Sequence, residues 1–86
     1  NIPWESNFIA GWMLLRAGHP ALAAAHFSEA VHVKPSAIAG LIGLGDAFVH
    51  LRLFDQAQFY YQKAIELEPK HELALQRQRD TTPLLY

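Results

Sequence analysis

The stretch that decides the fold is IAGLIGLGDAFVHLRLFDQAQFYYQKAIELEP, residues 38–69, together with WESNFIAGWMLLRAGHPALAAAHFSEAVHVKP, residues 4–35. The two stretches align at an offset of 34 residues, and the aromatic Phe27 falls on Tyr61. Four residues are identical at this offset: Gly11 and Gly45, Ala23 and Ala57, Ala30 and Ala64, Pro35 and Pro69. These are small residues and a proline, whose positions tolerate little steric change. The offset therefore predicts two copies of one structural unit.

Proline, glycine and polar residues divide each copy into two helices separated by short turns. Pro3 suits the first turn of a helix, and Gly18 interrupts the first helix before Pro20. Ser36 and Asp55 are predicted to be N-caps of the third and fourth helices. The predicted helices cover residues 3–17, 21–34, 37–51, 55–68 and 71–80. Since the connections are short, neighbouring helices should pack as antiparallel hairpins.

The apolar residues of each copy follow helical spacing, with small residues at fixed positions. Glycine inside a helix costs roughly 0.5 to 1 kcal/mol relative to alanine. Gly11 and Gly45 therefore predict a close approach of two helix backbones, with Ala23 and Ala57 as the opposing small surfaces. The residues expected to pack the repeats are Gly11, Ala23, Ala30, Gly45, Ala57 and Ala64.

The sequence resembles the tetratricopeptide repeat, which has a 34-residue period and a helix-turn-helix unit. The family pattern falls on Ala10, Gly11, Leu14, Ala23, Phe27, Ala30 and Pro35, and again on Leu41, Leu44, Gly45, Phe48, Ala57, Tyr61, Ala64 and Pro69. Asn7 and Leu41 stand where the pattern most often has tryptophan. The resemblance implies an all-α fold of antiparallel helix-turn-helix repeats, a fragment of a right-handed superhelical solenoid. One domain, 1–86, would contain repeats 4–37 and 38–71 and a capping helix and tail, 72–86.

The resemblance also implies partner binding in a concave groove lined by the first helix of each unit. The groove residues carried over are Phe8, Trp12, Leu15, Arg16, Ile42, Asp46, Val49, His50 and Arg77. Family members that hold the carboxylate tails of chaperones use Lys and Asn at positions that here contain Phe8, Trp12, Gly43 and Leu73. Only Arg77 retains a suitable charge, so the sequence excludes that carboxylate-binding subtype.

Charge and composition limit the kinds of partner. A net charge of -1 gives no cationic surplus for nucleic acid. The longest apolar runs are less than half of the ~20 residues that a membrane span needs, so a water-soluble domain is expected, with the cytoplasm as the default compartment. Residues 1–45 contain four charged side chains against eleven in the rest. The apolar surface around Phe8 and Trp12 should therefore be covered by a peptide or helix, a second copy of the chain, or the remainder of a longer protein.

No catalytic, metal or cofactor site emerges from the motifs. Glu29 and His32 have the Glu-x-x-His form of some metal sites, but the equivalent Lys63 and Glu66 do not supply its partner. The glycines of residues 40–45 lack a preceding strand and a following Lys-Ser or Lys-Thr, so they do not predict a phosphate loop. His50 is one helical turn from Asp46 and is a candidate ligand-binding group. There are no cysteines for nucleophilic or thiolate chemistry.

The predicted function is therefore a non-catalytic protein-interaction scaffold that binds an apolar peptide, helix or neighbouring subunit. Two alternatives stay open: a substrate-recruiting appendage of a larger enzyme, and a secretion or assembly chaperone. The first residue is Asn1 and not Met, and we expect the chain to be processed or cut from a longer protein.

Overall fold

The computed structural model describes residues 3–85, so the predicted domain ends at Asn1 and Tyr86 lie outside the described residues. Its elements are α1 (Trp4–Arg16), α2 (Pro20–Val33), α3 (Ile38–His50), α4 (Phe54–Leu67), α5 (Glu72–Thr81) and a 3-10 turn (Thr82–Leu85). Between residues 3 and 85 there is no strand. The predicted all-α fold is confirmed, and every predicted helix boundary is within one residue of the observed one.

The turns inside the two hairpins repeat the same backbone geometry. Gly18 ends α1 with a φ of 87°, and Arg52, 34 residues later, has a φ of 62°. The amide of His19 donates to the carbonyl of Leu14 at 2.8 Å, and the amide of Leu53 donates to that of Phe48 at 2.9 Å. These bonds are typical of a Schellman motif, which ends a helix with one residue in the left-handed region. Both hairpins therefore turn in the same way, although only the first uses glycine.

The predicted helix caps at Ser36 and Asp55 are wrong. The N-caps of α3 and α4 are Ala37 and Leu53, and neither provides a side-chain hydrogen bond. Asp55 instead lies in the first turn of α4, where a carboxylate is favoured by the helix dipole. Among the five helices of the described chain, only α5 has a side-chain cap, in which the amide of Ala74 donates to Nδ1 of His71 at 3.3 Å.

The hairpins stack in chain order, with α2 against α3 and α4 against α5. Phe27 and Tyr61 are fully buried at the centres of the two units. The last helix, α5, buries Ala74 and exposes Gln76 and Arg79. The helix therefore packs on α4 and exposes polar side chains, and its role as a capping helix stays a prediction.

The repeated glycines make room for aromatic rings and do not bring two helix backbones together. A Cβ on Gly11 would lie 2.7 Å from ring carbon Cε1 of Phe27, and a Cβ on Gly43 would lie 2.6 Å from the same atom. Gly45 bears the same relation to the ring of Tyr61. The prediction that Ala57 lies opposite Gly45 is therefore wrong, because the Tyr61 ring takes that place. Four alanines predicted to pack the repeats are fully buried: Ala23, Ala30, Ala57 and Ala64.

Candidate functional site

The first helices α1, α3 and α5 carry the residues predicted for the groove, but the structure divides those residues into two groups. Leu15 is 8% exposed, Ile42 is 2% exposed and Asp46 is 7% exposed, so these three belong to the interior. Ile42 packs beside Ala57 and Tyr61. The remaining predicted residues are half-buried or exposed: Phe8, Trp12, Arg16, Val49, His50 and Arg77. We use the word groove for these six residues. Val49, His50 and Arg77 line one pocket, whereas Phe8, Trp12 and Arg16 lie on α1 and are not part of that pocket.

On α1 the groove has a rigid aromatic surface. The rings of Phe8 and Trp12 meet edge to face, with centroids 6.2 Å apart. Both rings also contact the buried Phe27, at centroid distances of 6.0 Å and 5.7 Å. Aromatic contacts of this kind add about 0.5 to 1.5 kcal/mol beyond the area they bury. The inner edges of Phe8 and Trp12 are therefore fixed by the core, while part of each ring remains open to solvent.

Between α3 and α5 the groove contains a pocket of about 220 Å³. Its lining combines apolar and polar side chains: Asp46, Val49, His50, Tyr61, Arg77, Asp80, Thr81 and Leu84. The imidazole Nδ1 of His50 donates to the main-chain oxygen of Asp46 at 2.9 Å. His50 is therefore oriented by its own helix and leaves the Asp46 carboxylate free to point elsewhere.

The carboxylate of Asp46 connects three helices. Its Oδ1 atom accepts a hydrogen bond from the Tyr61 hydroxyl of α4 and another from Nε of Arg77 of α5, the latter at 3.0 Å. A buried carboxylate without such partners would cost several kcal/mol, and the two donors offset that cost. Asp46 therefore holds α4 and α5 in place through its carboxylate, and it also lines the pocket.

Tyr61 is a permanent donor in this arrangement. Burial of the phenol, followed by the hydrogen bond and negative charge of Asp46, raises the pKa of Tyr61 far above its ordinary value, and the charge of Arg77 opposes the change only in part. The hydroxyl therefore keeps its proton throughout the physiological range.

Arg77 lines the pocket, and its contact with Asp46 leaves its terminal nitrogens unused. Its Nε is used by Asp46, and its side chain is 36% exposed. Within residues 3–85 the Nη groups have no hydrogen-bond partner. A guanidinium fixed at Nε keeps its two terminal nitrogens, which carry four N–H donors, in a defined direction for an acceptor in the pocket.

Sequence reasoning identified Asp46 and Arg77 but missed Tyr61, which had been assigned only to the repeat pattern. One signal was available. In the apolar run of α3, Asp46 is the one charged residue, and a charge among buried positions requires donors from neighbouring helices. Gly43 of α3 leaves no space for a ligand, because the Phe27 ring already occupies the place of its missing side chain.

The described residues hold no group of three or more His, Asp or Glu side chains placed to bind a metal ion. None of the helices assigned between residues 3 and 85 has the length and apolar character needed to cross a membrane.

The fold and groove define a protein built from stacked helical hairpins. The sequence model of the tetratricopeptide repeat matches residues 38–71, the second hairpin with its flanking turns. Among solved structures, the first tetratricopeptide domain of Spaghetti (RPAP3), bound to the HSP90 peptide SRMEEVD, has a TM-score of 0.83 with this chain at 24% sequence identity. The similarity covers 87% of this chain and 60% of that one. No curated protein matches the sequence. The chain thus has the tetratricopeptide fold, and residues 38–71 form a tetratricopeptide repeat.

Proposed function

We propose that residues 1–86 act as one non-catalytic binding domain whose groove holds an apolar segment of a partner protein. Two observations together carry the proposal. The Phe8 and Trp12 rings of α1 are partly exposed and are held in place by contacts with the buried Phe27. A pocket lined by residues of α3 and α5 provides a second binding surface. Aromatic anchors in water-excluding surroundings supply much of the energy of protein interfaces. The partner would bury apolar side chains against Phe8, Trp12 and Val49.

Arg77 would set the orientation of the bound segment. Because Asp46 fixes its Nε, the terminal nitrogens can donate to a main-chain carbonyl of the partner without losing further side-chain freedom. His50 lines the same pocket and is exposed. A peptide chain, which offers a carbonyl at every residue, fits this combination better than a small polar molecule does.

We infer that the preferred segment does not end in an acidic tail. The solved tetratricopeptide domain named above is bound to a peptide with the sequence SRMEEVD. In this chain, Asp80 is exposed in the pocket beside Arg77, and the α1 side of the groove is aromatic. The groove therefore offers Arg77, which shares its pocket with the acidic Asp80, and Arg16 on α1. An acidic tail that ends in a free carboxylate would need several cations close together.

The experiment is a selection of random 12-residue peptides on the immobilised chain, followed by titration of the selected peptides in solution. We expect the selected peptides to share two or three large apolar residues. Trp12→Ala and Val49→Glu should each weaken binding at least tenfold. Phe59→Glu, an equally drastic change at an exposed residue of α4, should have no effect.

Two results would contradict the proposal. One is loss of binding with Phe59→Glu but not with Val49→Glu, which would move the site to the opposite face. The other is tight binding of SRMEEVD that disappears when its terminal carboxylate is amidated, which would make the groove a carboxylate-binding site. Trp12→Ala removes a contact with Phe27, so its helix content must be measured by circular dichroism before its affinity is interpreted.

A further inference from the structure

A stripe of α1 centred on Ile9 and Met13 is exposed and apolar, and it adjoins the groove at Trp12 and Arg16. Ile9 and Met13 are one helical turn apart and are 55% and 67% exposed. Their equivalents in the second repeat, 34 residues later, are Gly43 and Ala47, both of which are buried against α2. These two helical positions are therefore buried in the second repeat and exposed in the first.

Charges stand at both ends of this stripe. Each residue of a helix is rotated by about 100° from the one before it, and by this measure the residues of the stripe lie within a sector of about 100° around the α1 axis. They are Glu5, Ile9, Trp12, Met13 and Arg16. Glu5 lies in the first turn and Arg16 in the last, and no charged residue lies between them. Both are exposed, and neither forms an ion pair within the described part of the chain.

We propose that this α1 stripe pairs with the α1 stripe of a second copy of the chain, with the two helices antiparallel. The midpoint of Glu5 and Arg16 along α1 lies between residues 10 and 11, and the midpoint of Ile9 and Met13 is residue 11. The two pairs therefore have nearly the same centre. A two-fold axis at that place brings Glu5 of each copy to Arg16 of the other and Ile9 of each copy to Met13 of the other. Apolar and charged groups are then both complementary.

Two features of the structure favour this occupant over a stacked helical repeat. In the second repeat, Leu41 belongs to an apolar cluster against which Tyr60 packs. The equivalent residues of the first repeat are Asn7 and His26, and His26 Nδ1 donates to Asn7 Oδ1 at 3.1 Å. This polar pair does not suit burial under a complete hairpin. The outer surface of α5 is also polar, so a head-to-tail contact would place the apolar stripe on charged groups such as Arg79.

The central residues of the pairing, Ile9 and Met13, are not groove residues, although Trp12 and Arg16 at its edge are, so the two proposals are tested with separate variants. Sedimentation velocity between about 1 and about 500 μM should show a reversible monomer–dimer equilibrium, as expected for one pair of short helices. Met13→Glu should leave a monomer with unchanged helix content. Leu22→Glu, a matched control at a residue 56% exposed on α2, should leave the dimer intact.

Charge reversal tests the antiparallel register. Glu5→Arg alone and Arg16→Glu alone should each weaken self-association at least several-fold, since each puts like charges together at both ends of the interface. An equimolar mixture of the two single variants should form a mixed dimer, and the E5R/R16E double variant should regain dimerisation. The mixture also serves as the control for any effect of either change on α1 itself.

A chain that stays monomeric throughout this range would overturn the proposal, and it would assign the stripe to a different partner. A dimer that persists in Met13→Glu would show that another surface is used. A dimer that is lost in Met13→Glu but is not restored in the mixture would exclude the antiparallel arrangement. Peptide binding measured with Val49→Glu is unaffected by any of these results, so the two proposals fail separately.

Discussion

Tyr61 lies against Gly45 across the α3–α4 hairpin, with its ring carbon Cδ1 2.7 Å from the position that a Cβ on Gly45 would take. Phe27 has the same relation to Gly11 in the first hairpin. The repeated element is therefore a glycine on the first helix that admits a large ring from the second. Each ring is fully buried, so the glycine provides the space that the ring fills inside its hairpin.

Gly45→Ala should destabilise the domain, which is the reverse of the usual effect of this substitution inside a helix. The added methyl group overlaps the Tyr61 ring, and the ring cannot move away because its hydroxyl is bound to Asp46. We expect the free energy of unfolding to fall by about 1 to 3 kcal/mol, with Gly45→Leu at the upper end. Urea denaturation monitored by circular dichroism measures the change.

Gly40→Ala is the matched control on the same helix. Its Cβ would lie 3.2 Å from Cγ2 of Val31, a terminal methyl that can shift slightly. Its effect on the unfolding free energy should be at least 1 kcal/mol more favourable than that of Gly45→Ala. Equal effects of the two substitutions would show that helix propensity, and not the Tyr61 ring, governs Gly45.

The helix boundaries were predictable because the repeat supplies each signal twice. Pro35 and Pro69 mark equivalent helix ends, and the 34-residue offset aligns every helix of the first hairpin with one of the second. The packing partner of the glycines was not predictable from spacing alone. A missing Cβ can admit either a backbone or a ring, and only the three-dimensional path of the Phe27 and Tyr61 side chains distinguishes these.

Asp46→Ala should destabilise the domain by about 3 kcal/mol, because it leaves the buried hydroxyl of Tyr61 without an acceptor and frees Arg77. Urea denaturation gives the magnitude. Asp80→Ala removes an exposed carboxylate of the same pocket and should change stability by less than about 0.5 kcal/mol. A large effect of Asp80 with a small effect of Asp46 would mean that the two carboxylates have the opposite roles.

Part of the candidate site was predictable and part was not. The half-exposed positions of Phe8, Trp12 and Val49 follow from helical periodicity, which identifies the face of a helix but not the depth to which it is covered. Leu15 and Ile42 lie on the same face and are nevertheless buried, because neighbouring helices cover them. Coverage depends on inter-helix packing, which a one-dimensional pattern does not contain.

Tyr61 predicts a loss of stability in alkaline solution. Its pKa is raised in the folded chain, so above about pH 10 the unfolded chain releases the phenolic proton while the folded chain retains it. The unfolded state then binds fewer protons, and the free energy of unfolding should decrease by up to about 1.4 kcal/mol per pH unit from this group. Below that pH, the contribution of Tyr61 is constant.

The measurement is a series of urea denaturation curves between about pH 8 and about pH 11. Tyr61→Phe is the comparison: it should be less stable than the natural chain at neutral pH by about 1 kcal/mol, because Asp46 loses one donor. Above about pH 10, the unfolding free energy of this variant should fall less steeply with pH, by the contribution of one proton. If both proteins lose stability with the same slope, Tyr61 is not the group responsible.

The stability of α5 should depend on its N-cap residue, His71. The amide of Ala74 donates to His71 Nδ1, and α5 in turn carries Arg77, the groove residue bound to Asp46. His71→Ala should lower the unfolding free energy by about 1 kcal/mol and raise the hydrogen-exchange rates of the α5 amides most. His71→Asn, whose side-chain oxygen can accept the same bond, should retain most of the stability. If alanine and asparagine behave alike, the cap contributes nothing, and α5 is held by Ala74 and Thr81 packing against α4.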